Sequence, residues 1–277
     1  AARRGHFESE QILESQLRIL EPLEPDESGI VCSITLPAAR IVDEGFTGVK
    51  FDPLMQAIPW RLPAAPWEIS LSEYDHAEKA VAAVREAVGN RADILIGTHG
   101  QITPSCARRL ARRVEKYDPL WLEEPCPPEN YKEMGKVARA TTIPIATGER
   151  LVTPYEFQLL FAEGACAVAQ PDLGSAGGIT ATRTIATLAE VHYVLMAPHV
   201  GGGPIITAAA LQIDANGPNF LIQESIDTAG GFFDEIIKEP FVWEDGDFVV
   251  TDRPGIGIEL DESSLEKYRG KLSDVRK

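Results

Sequence analysis

Three short runs between residues 96 and 150 decide how this chain folds: IGTHGQ at 96–101, PLWLEEP at 119–125 and IPIATGER at 143–150. Each is an apolar run of strand length that stops abruptly in polar or charged residues. Between them, segments 104–116 and 128–140 carry apolar residues at helical spacing. Strand, helix, strand, helix, strand at this pitch is the pattern of a parallel sheet with crossover helices. Buried parallel strands show polar groups only where they emerge. His99, Glu123, Glu124 and Glu149 at successive C-terminal strand ends therefore point to a site rather than a core.

The alternation extends in both directions. FTGVKFDP at 46–53 reads as a strand ending at Lys50 and Asp52, and ADILIG at 92–97 as the next. Ser72 is the expected N-cap of a helix through Val88, which Gly89 ends. Beyond Glu149, a helix over 153–163 leads to ACAVAQPD, which ends at Asp172. A helix over 178–190 leads to HYVLMAPH, which ends at His199. GGGP, a small-residue helix over 205–215 and the strand NFLIQES, ending at Glu224, follow. With a further strand suggested at 29–34 and a helical turn or two over 37–44, the fold class is α/β, a TIM-type (β/α)₈ barrel. Residues 1–28 read as an irregular segment with a short helix over 8–20, 29–262 as the barrel, and 263–277 as a tail. A hairpin is expected around FVWEDGDFVV at 241–250. Segment 53–71 is rich in Pro and Trp without a period, and its place after a strand end puts it over the mouth.

The totals narrow the function. A chain of 277 residues can bury a large core, and 44% hydrophobic with 25% charged residues is ordinary for a soluble globular protein. Its 42 acidic against 26 basic residues, a net charge of −16, argue against a nucleic-acid partner. The apolar runs are strand-sized, so no membrane span is expected, and AARRGHFESE offers no apolar signal region. Cys32, Cys106, Cys126 and Cys166 are scattered and read as reduced thiols of a cytoplasmic protein. Arg108, Arg109, Arg112 and Arg113 read as the solvated face of an outer helix rather than an anion site. The chain begins without methionine, so it is read as a piece of something longer or a part of it.

Glu123 and Glu149 end adjacent strands and face the barrel mouth. Two readings are open for them. Acids gathered in one pocket call for a cation, and oxygen ligands favour Mg²⁺, with Mn²⁺ second. Alternatively, one glutamate pairs with Arg150 or Lys50 in a stabilising network. Asp172 and His199 end two further strands. A carboxylate on one imidazole nitrogen fixes the tautomer and raises the basicity of the other, which makes a general base.

With these residues in view, the chain resembles the mandelate racemase and muconate lactonizing branch of the enolase superfamily, most closely its acid-sugar dehydratases of the galactonate or gluconate kind. WLEEP, ATGER, QPDLG followed by GGI, APH and FLIQES fit family motifs one after another over about residues 38–262. The spacings from 123 to 149, 149 to 172 and 172 to 199, which are 26, 23 and 27 residues, follow the family's ladder of strand ends. The resemblance implies a (β/α)₇β variant of the barrel and a shared half-reaction, in which a base removes the proton next to a carboxylate and a metal steadies the enediolate. It implies Glu123 and Glu149 as metal ligands, His199 with Asp172 as the base, and Glu224 as an acid bonding the enediolate. It also implies His99 as the general acid that expels the β-hydroxyl; Lys50 is counted with the catalytic residues, and Lys50, Asp52 and Arg150 are expected as substrate contacts. The implied partner is a small acid sugar, and self-assembly into a homo-oligomer is expected.

Three departures qualify this. The family's Lys-x-Lys is Lys50-Phe51-Asp52 here, so a base on each face is lacking and loss of water fits better than racemisation or epimerisation. The family's first metal ligand is an Asp 26 residues before Glu123, where this chain has Gly97. Either His99, on the same strand face, takes its place, or water does. Finally, the family's N-terminal α+β capping domain has no counterpart in residues 1–30, so the cap is expected to be missing from this chain. A degenerate relative that binds a sugar acid without turning it over is the alternative from another class.

Overall fold

The computed structural model describes residues 38–43, 45–54, 66–224 and 232–268. Helix α1 (Ala38–Asp43) leads into strand β1 (Gly48–Phe51), α2 (Leu71–Val88), β2 (Asp93–Gly97), α3 (Pro104–Val114) and β3 (Trp121–Glu123). Then come α4 (Tyr131–Ala138), β4 (Ile145–Thr147), α5 (Pro154–Ala162), β5 (Val168–Ala169), α6 (Gly178–Val191), β6 (Leu195–Met196) and α7 (Pro204–Asn216). The strands form one six-stranded sheet in sequence order, β1 to β6, every pair parallel. This is the α/β barrel arrangement that the alternation predicts.

The segment at 219–224 keeps its place beside β6 without becoming a named strand. Met196 and Phe220 form a parallel bridge, and Leu221 N donates to Met196 O at 2.8 Å. At the other edge, a Cβ on Gly48 would stand 3.2 Å from Ile222 Cδ1, so the two ends of the arc meet. The strand suggested at 29–34, the helix at 8–20, Cys32 and most of the 53–71 loop lie outside the described residues.

Alternation of side chains along each strand sorts the core into two layers. Ile94, Ile96, Leu122 and Ile145 face outward and pack with helix residues such as Val81, Leu110, Met134 and Phe157. Leu95, Trp121, Ala146, Val168 and Ala197 face inward and fill the barrel, with Leu221 and Ile222 against them. Trp121 is 1% exposed and is the largest of this inner plug. Two residues further along a strand, the same parity points into the mouth above the plug. Lys50 and Asp52 follow Gly48, Gly97 follows Leu95, Glu123 follows Trp121, Gln170 and Asp172 follow Val168, and His199 follows Ala197.

Local chemistry sets the helix starts. The sequence reading placed the cap of α2 at Ser72, but the cap is Ser70, whose Oγ accepts from Glu73 N while Glu73 Oε2 accepts from Ser70 N. The reciprocal box needs an acid three residues on whose side chain folds back, and Glu73 satisfies the Ser70 amide. Thr153 and Glu156 build the same box for α5. The four arginines of α3 are less uniformly solvated than the sequence suggested: Arg113 binds Asp75 at 2.6 Å, and the Arg109 guanidinium lies 4.5 Å from the Tyr74 ring centroid. They join α3 to α2. Past 231, helix α8 (Phe232–Glu235), the hairpin β7 (Trp243–Glu244) with β8 (Asp247–Phe248), and α9 (Glu262–Tyr268) complete the described chain. Asp245 and Gly246 both have positive φ, the signature of the tight turn that joins such a pair.

Candidate active site

Six strand ends deliver the mouth. Two imidazole–carboxylate pairs stand in it. His199 Nδ1 lies 2.8 Å from Asp172 Oδ2, and the strands carrying them touch through a parallel bridge between these same two residues. Gly174 N donates to Asp172 Oδ1 at 2.7 Å, which leaves Oδ2 for the imidazole. Burial disfavours the imidazolium, but the Asp172 bond and the Glu224 and Glu149 charges outweigh it and hold the His199 pKa above its ordinary value. Asp172 is correspondingly held low: burial raises its pKa, and the bond and charge of His199 more than reverse this. His199 Nε2 faces Glu149 Oε2 at 3.4 Å and Glu224 Oε2 at 3.9 Å.

The second pair is His99 with Asp52. His99 Nδ1 lies 2.9 Å from Asp52 Oδ2, and Gln101 Nε2 donates to the same oxygen at 3.3 Å. Leu54 N holds Asp52 Oδ1 at 2.7 Å. The Asp52 bond raises the His99 pKa against burial, and the Asp52 and Glu149 charges add to it. His99 has φ +51, a left-handed backbone that turns the chain sharply at the end of β2.

Between the pairs stands Lys50. Its Nζ is 2.6 Å from Glu123 Oε1 and 2.5 Å from Glu224 Oε1. Burial works against this ammonium, yet the charges of Glu123 and Glu224 and then their hydrogen bonds hold its pKa above the ordinary lysine value. Glu123 is 1% exposed; burial is the main reason that its pKa is raised, with Lys50 opposing.

Glu149 reaches the mouth by a different route. Strand parity from Ala146 would aim residue 148 inward, but Gly148 has φ +145 and shifts the phase by one. A Cβ there would stand 2.9 Å from the Gln170 backbone carbonyl carbon, so only glycine takes this course. Glu124 points the other way. It is fully buried, accepts from Arg150 Nε at 3.0 Å and from Gly148 N at 3.2 Å, and also bonds Thr147 Oγ1. Burial pushes its pKa up to about 7.

Of the residues the sequence named, His199, Asp172, Glu224, Glu149, Lys50 and Glu123 come together, and His99 and Asp52 form their own pair alongside. Arg150 does not join them: its guanidinium is committed to Glu124 and lies over Gly100. The sequence reading missed Gln170, which donates to Glu123 Oε2 at 2.7 Å. Its signal was available, since Gln170 precedes Asp172 by one inward step of the same strand.

The donor set falls short of a divalent-ion site. Gly97 offers no side chain, Glu123 Oε1 is taken by Lys50 and its Oε2 by Gln170. Among the described residues no group of three His, Cys, Asp or Glu is placed to hold a metal ion. As they stand, these residues do not fit Mg²⁺ or Mn²⁺.

A sequence profile described as Enolase C-terminal domain-like matches residues 35–264. This chain belongs to that family. Its solved neighbours lie on the mandelate racemase/muconate lactonizing branch of the enolase superfamily. A mandelate racemase/muconate lactonizing enzyme-like protein from Roseovarius sp. TM1035 superposes with a TM-score of 0.79 at 43% identity, covering 84% of this chain and 58% of that one. Among curated relatives, D-xylonate dehydratase of Haloferax volcanii is 36% identical over 230 residues, 83% of this chain and 56% of its own length. D-gluconate dehydratase of Thermoproteus tenax is 35% identical over 245 residues, 86% of this chain and 46% of its own length. The chain thus spans about half the length of the curated relatives it matches. Members of this superfamily generally use Mg²⁺, which makes the donor set at Gly97 a point of difference.

Proposed function

We propose that this chain is the barrel of an acid-sugar hydro-lyase, which converts an aldonate to a 2-keto-3-deoxy acid and water. The observation that carries this reading is the presence of two separate imidazole–carboxylate pairs in one mouth. Loss of water needs one group to take a proton and another to give one. His199, oriented by Asp172, takes the proton from the carbon beside the carboxylate through its Nε2. His99, whose protonated form Asp52 favours, gives its proton to the hydroxyl on the next carbon, which leaves as water. The C–H electron pair first moves toward the carboxylate to give an enediolate, then becomes the new C=C bond as the C–O bond breaks, and the enol formed tautomerises to the ketone.

Charge that develops on the carboxylate meets the Lys50 ammonium, with Glu224 beside it. Asp52 is tied to His99, so no second lysine stands by for racemisation. No described helix is long and apolar enough to cross a membrane. Cytoplasmic placement, a small acid sugar as partner and assembly into homo-oligomers belong to the same proposal; the first rests on the scattered cysteines and acidic composition, the other two on the resemblance. The test is a library of acid sugars, offered to the intact protein with and without Mg²⁺ or Mn²⁺, and scored for 2-keto acid. Turnover of at least one aldonate is expected; turnover of none sinks the reading.

A further inference from the structure

Glu123 and Glu224 close on a positive charge that belongs to the chain itself. Lys50 Nζ touches both, at 2.6 and 2.5 Å. Each carboxylate is steadied from behind: Gln170 Nε2 donates to Glu123 Oε2 at 2.7 Å, and Val200 N donates to Glu224 Oε2 at 3.3 Å. The ammonium therefore sits in a formed socket rather than at the end of a loose side chain.

Gly97 completes the argument. It is the inward residue at the end of β2, paired in register with Glu123. A Cβ at this position would lie 3.5 Å from Lys50 Cε and 3.7 Å from Glu123 Oε1, ordinary contact distances, and its backbone is not left-handed. Neither space nor strain therefore demands a glycine here. Its consequence is electrostatic: position 97 adds no carboxylate to the mouth, and Glu123 and Glu224 share the one ammonium of Lys50. A divalent ion placed at Glu123 would have to displace that ammonium or stand beside it, and like charges at such range repel strongly.

We propose that the Lys50 ammonium, held between Glu123 and Glu224 beside Gly97, is the resident cation of this mouth and stands in place of a divalent ion. The bare position 97 and the lysine seated between Glu123 and Glu224 belong to one arrangement.

Binding of Mn²⁺ to the full chain, followed by electron paramagnetic resonance with no substrate present, tests this. The readout does not depend on which reaction the protein performs, so failure of the hydro-lyase reading would leave it intact. The wild-type chain is expected to bind Mn²⁺ at this mouth with a Kd weaker than about 100 µM, weaker than buffer- and sensor-type carboxylate sites hold their ion. Lys50→Met frees both carboxylates and is expected to tighten binding by about tenfold. Adding Gly97→Asp to Lys50→Met supplies a third carboxylate and is expected to tighten it further. One equivalent of Mn²⁺ bound by wild type more tightly than about 100 µM, and lost in Glu123→Gln, overturns the proposal. So does a Lys50→Met variant that keeps the wild-type melting behaviour yet binds Mn²⁺ no better than wild type. The wild-type titration decides the matter even if a variant fails to fold.

Discussion

His199 Nδ1 and Asp172 Oδ2 lie 2.8 Å apart at the ends of neighbouring strands, and that bond determines which imidazole nitrogen faces the mouth. With Nδ1 committed to the carboxylate, Nε2 is the atom turned toward Glu149 and Glu224. A base is useful only where its lone pair is aimed, and here the aim comes from a residue 27 positions earlier in the chain.

His199→Asn removes that lone pair and leaves a polar group of similar size. Exchange of the proton beside the carboxylate of a turned-over acid sugar into D₂O is expected to fall by about 10² to 10⁴-fold. NMR of the recovered substrate reads this directly. Exchange at the wild-type rate would remove His199 from the role of base.

Asp52→Asn addresses the other pair. The Asp52 bond is the main reason that the His99 imidazolium is favoured. Without it the proton donor weakens, while His199 and Asp172 are untouched. Formation of 2-keto acid is expected to drop by about 10²-fold with proton exchange retained. Equal loss of both would show that Asp52 acts on the first step.

Asp214, on α7, supplies a stability test. It is 9% exposed, neither side-chain oxygen has a hydrogen-bond partner among the described residues, and burial raises its pKa from 3.8 to about 8. The folded state therefore holds a proton that the unfolded state has released between these values, and stability falls as pH rises through that window. Asp214→Asn carries no such penalty. It is expected to raise stability by about 2 kcal/mol near pH 8, with the gain fading to nearly nothing at about pH 4. Urea unfolding at the two pH values measures it, and a gain that did not depend on pH would point to packing instead.

Trp121 plugs the barrel beneath the site. Its replacement by alanine leaves a cavity among Leu95, Ala146, Val168 and Ala197, and about 3–5 kcal/mol of stability should be lost. Chemical denaturation gives the number. A loss below about 1 kcal/mol would mean that the inner layer collapses to fill the space.

Much of this was legible before any coordinates. The alternation of strand-length and helix-length runs located β1 to β6 and their crossovers, because buried parallel strands are apolar throughout and end sharply. Inward parity along those strands placed Lys50, Glu123, Asp172 and His199 together. Contacts between side chains were harder to read. For Glu123 and Glu149, pairing of one glutamate with Lys50 or Arg150 is one of two open readings of the sequence; the further contact of Lys50 with Glu224 is not among them, since a long flexible side chain can reach several partners and sequence does not rank them. Arg150 is expected at the substrate from sequence, while its guanidinium is paired with Glu124, which is buried and needs a counter-charge. The pairing of Asp52 with His99 depended on how β1 and β2 align, and register is invisible in a single strand. Gln170 carries no charge, so nothing in its sequence context beyond strand parity marks the amide that bonds Glu123.

The ion pair between Lys50 and Glu224 spans 174 residues of sequence. A ribosome delivers β1 early and Glu224 only after every other strand of the described sheet has emerged. Until then the lysine has half of its socket and His199 lacks one of its two neighbouring carboxylates. Completion of this mouth is thus tied to synthesis through residue 224, and a product cut short before it would keep most of the described core while leaving the lysine with half of its socket.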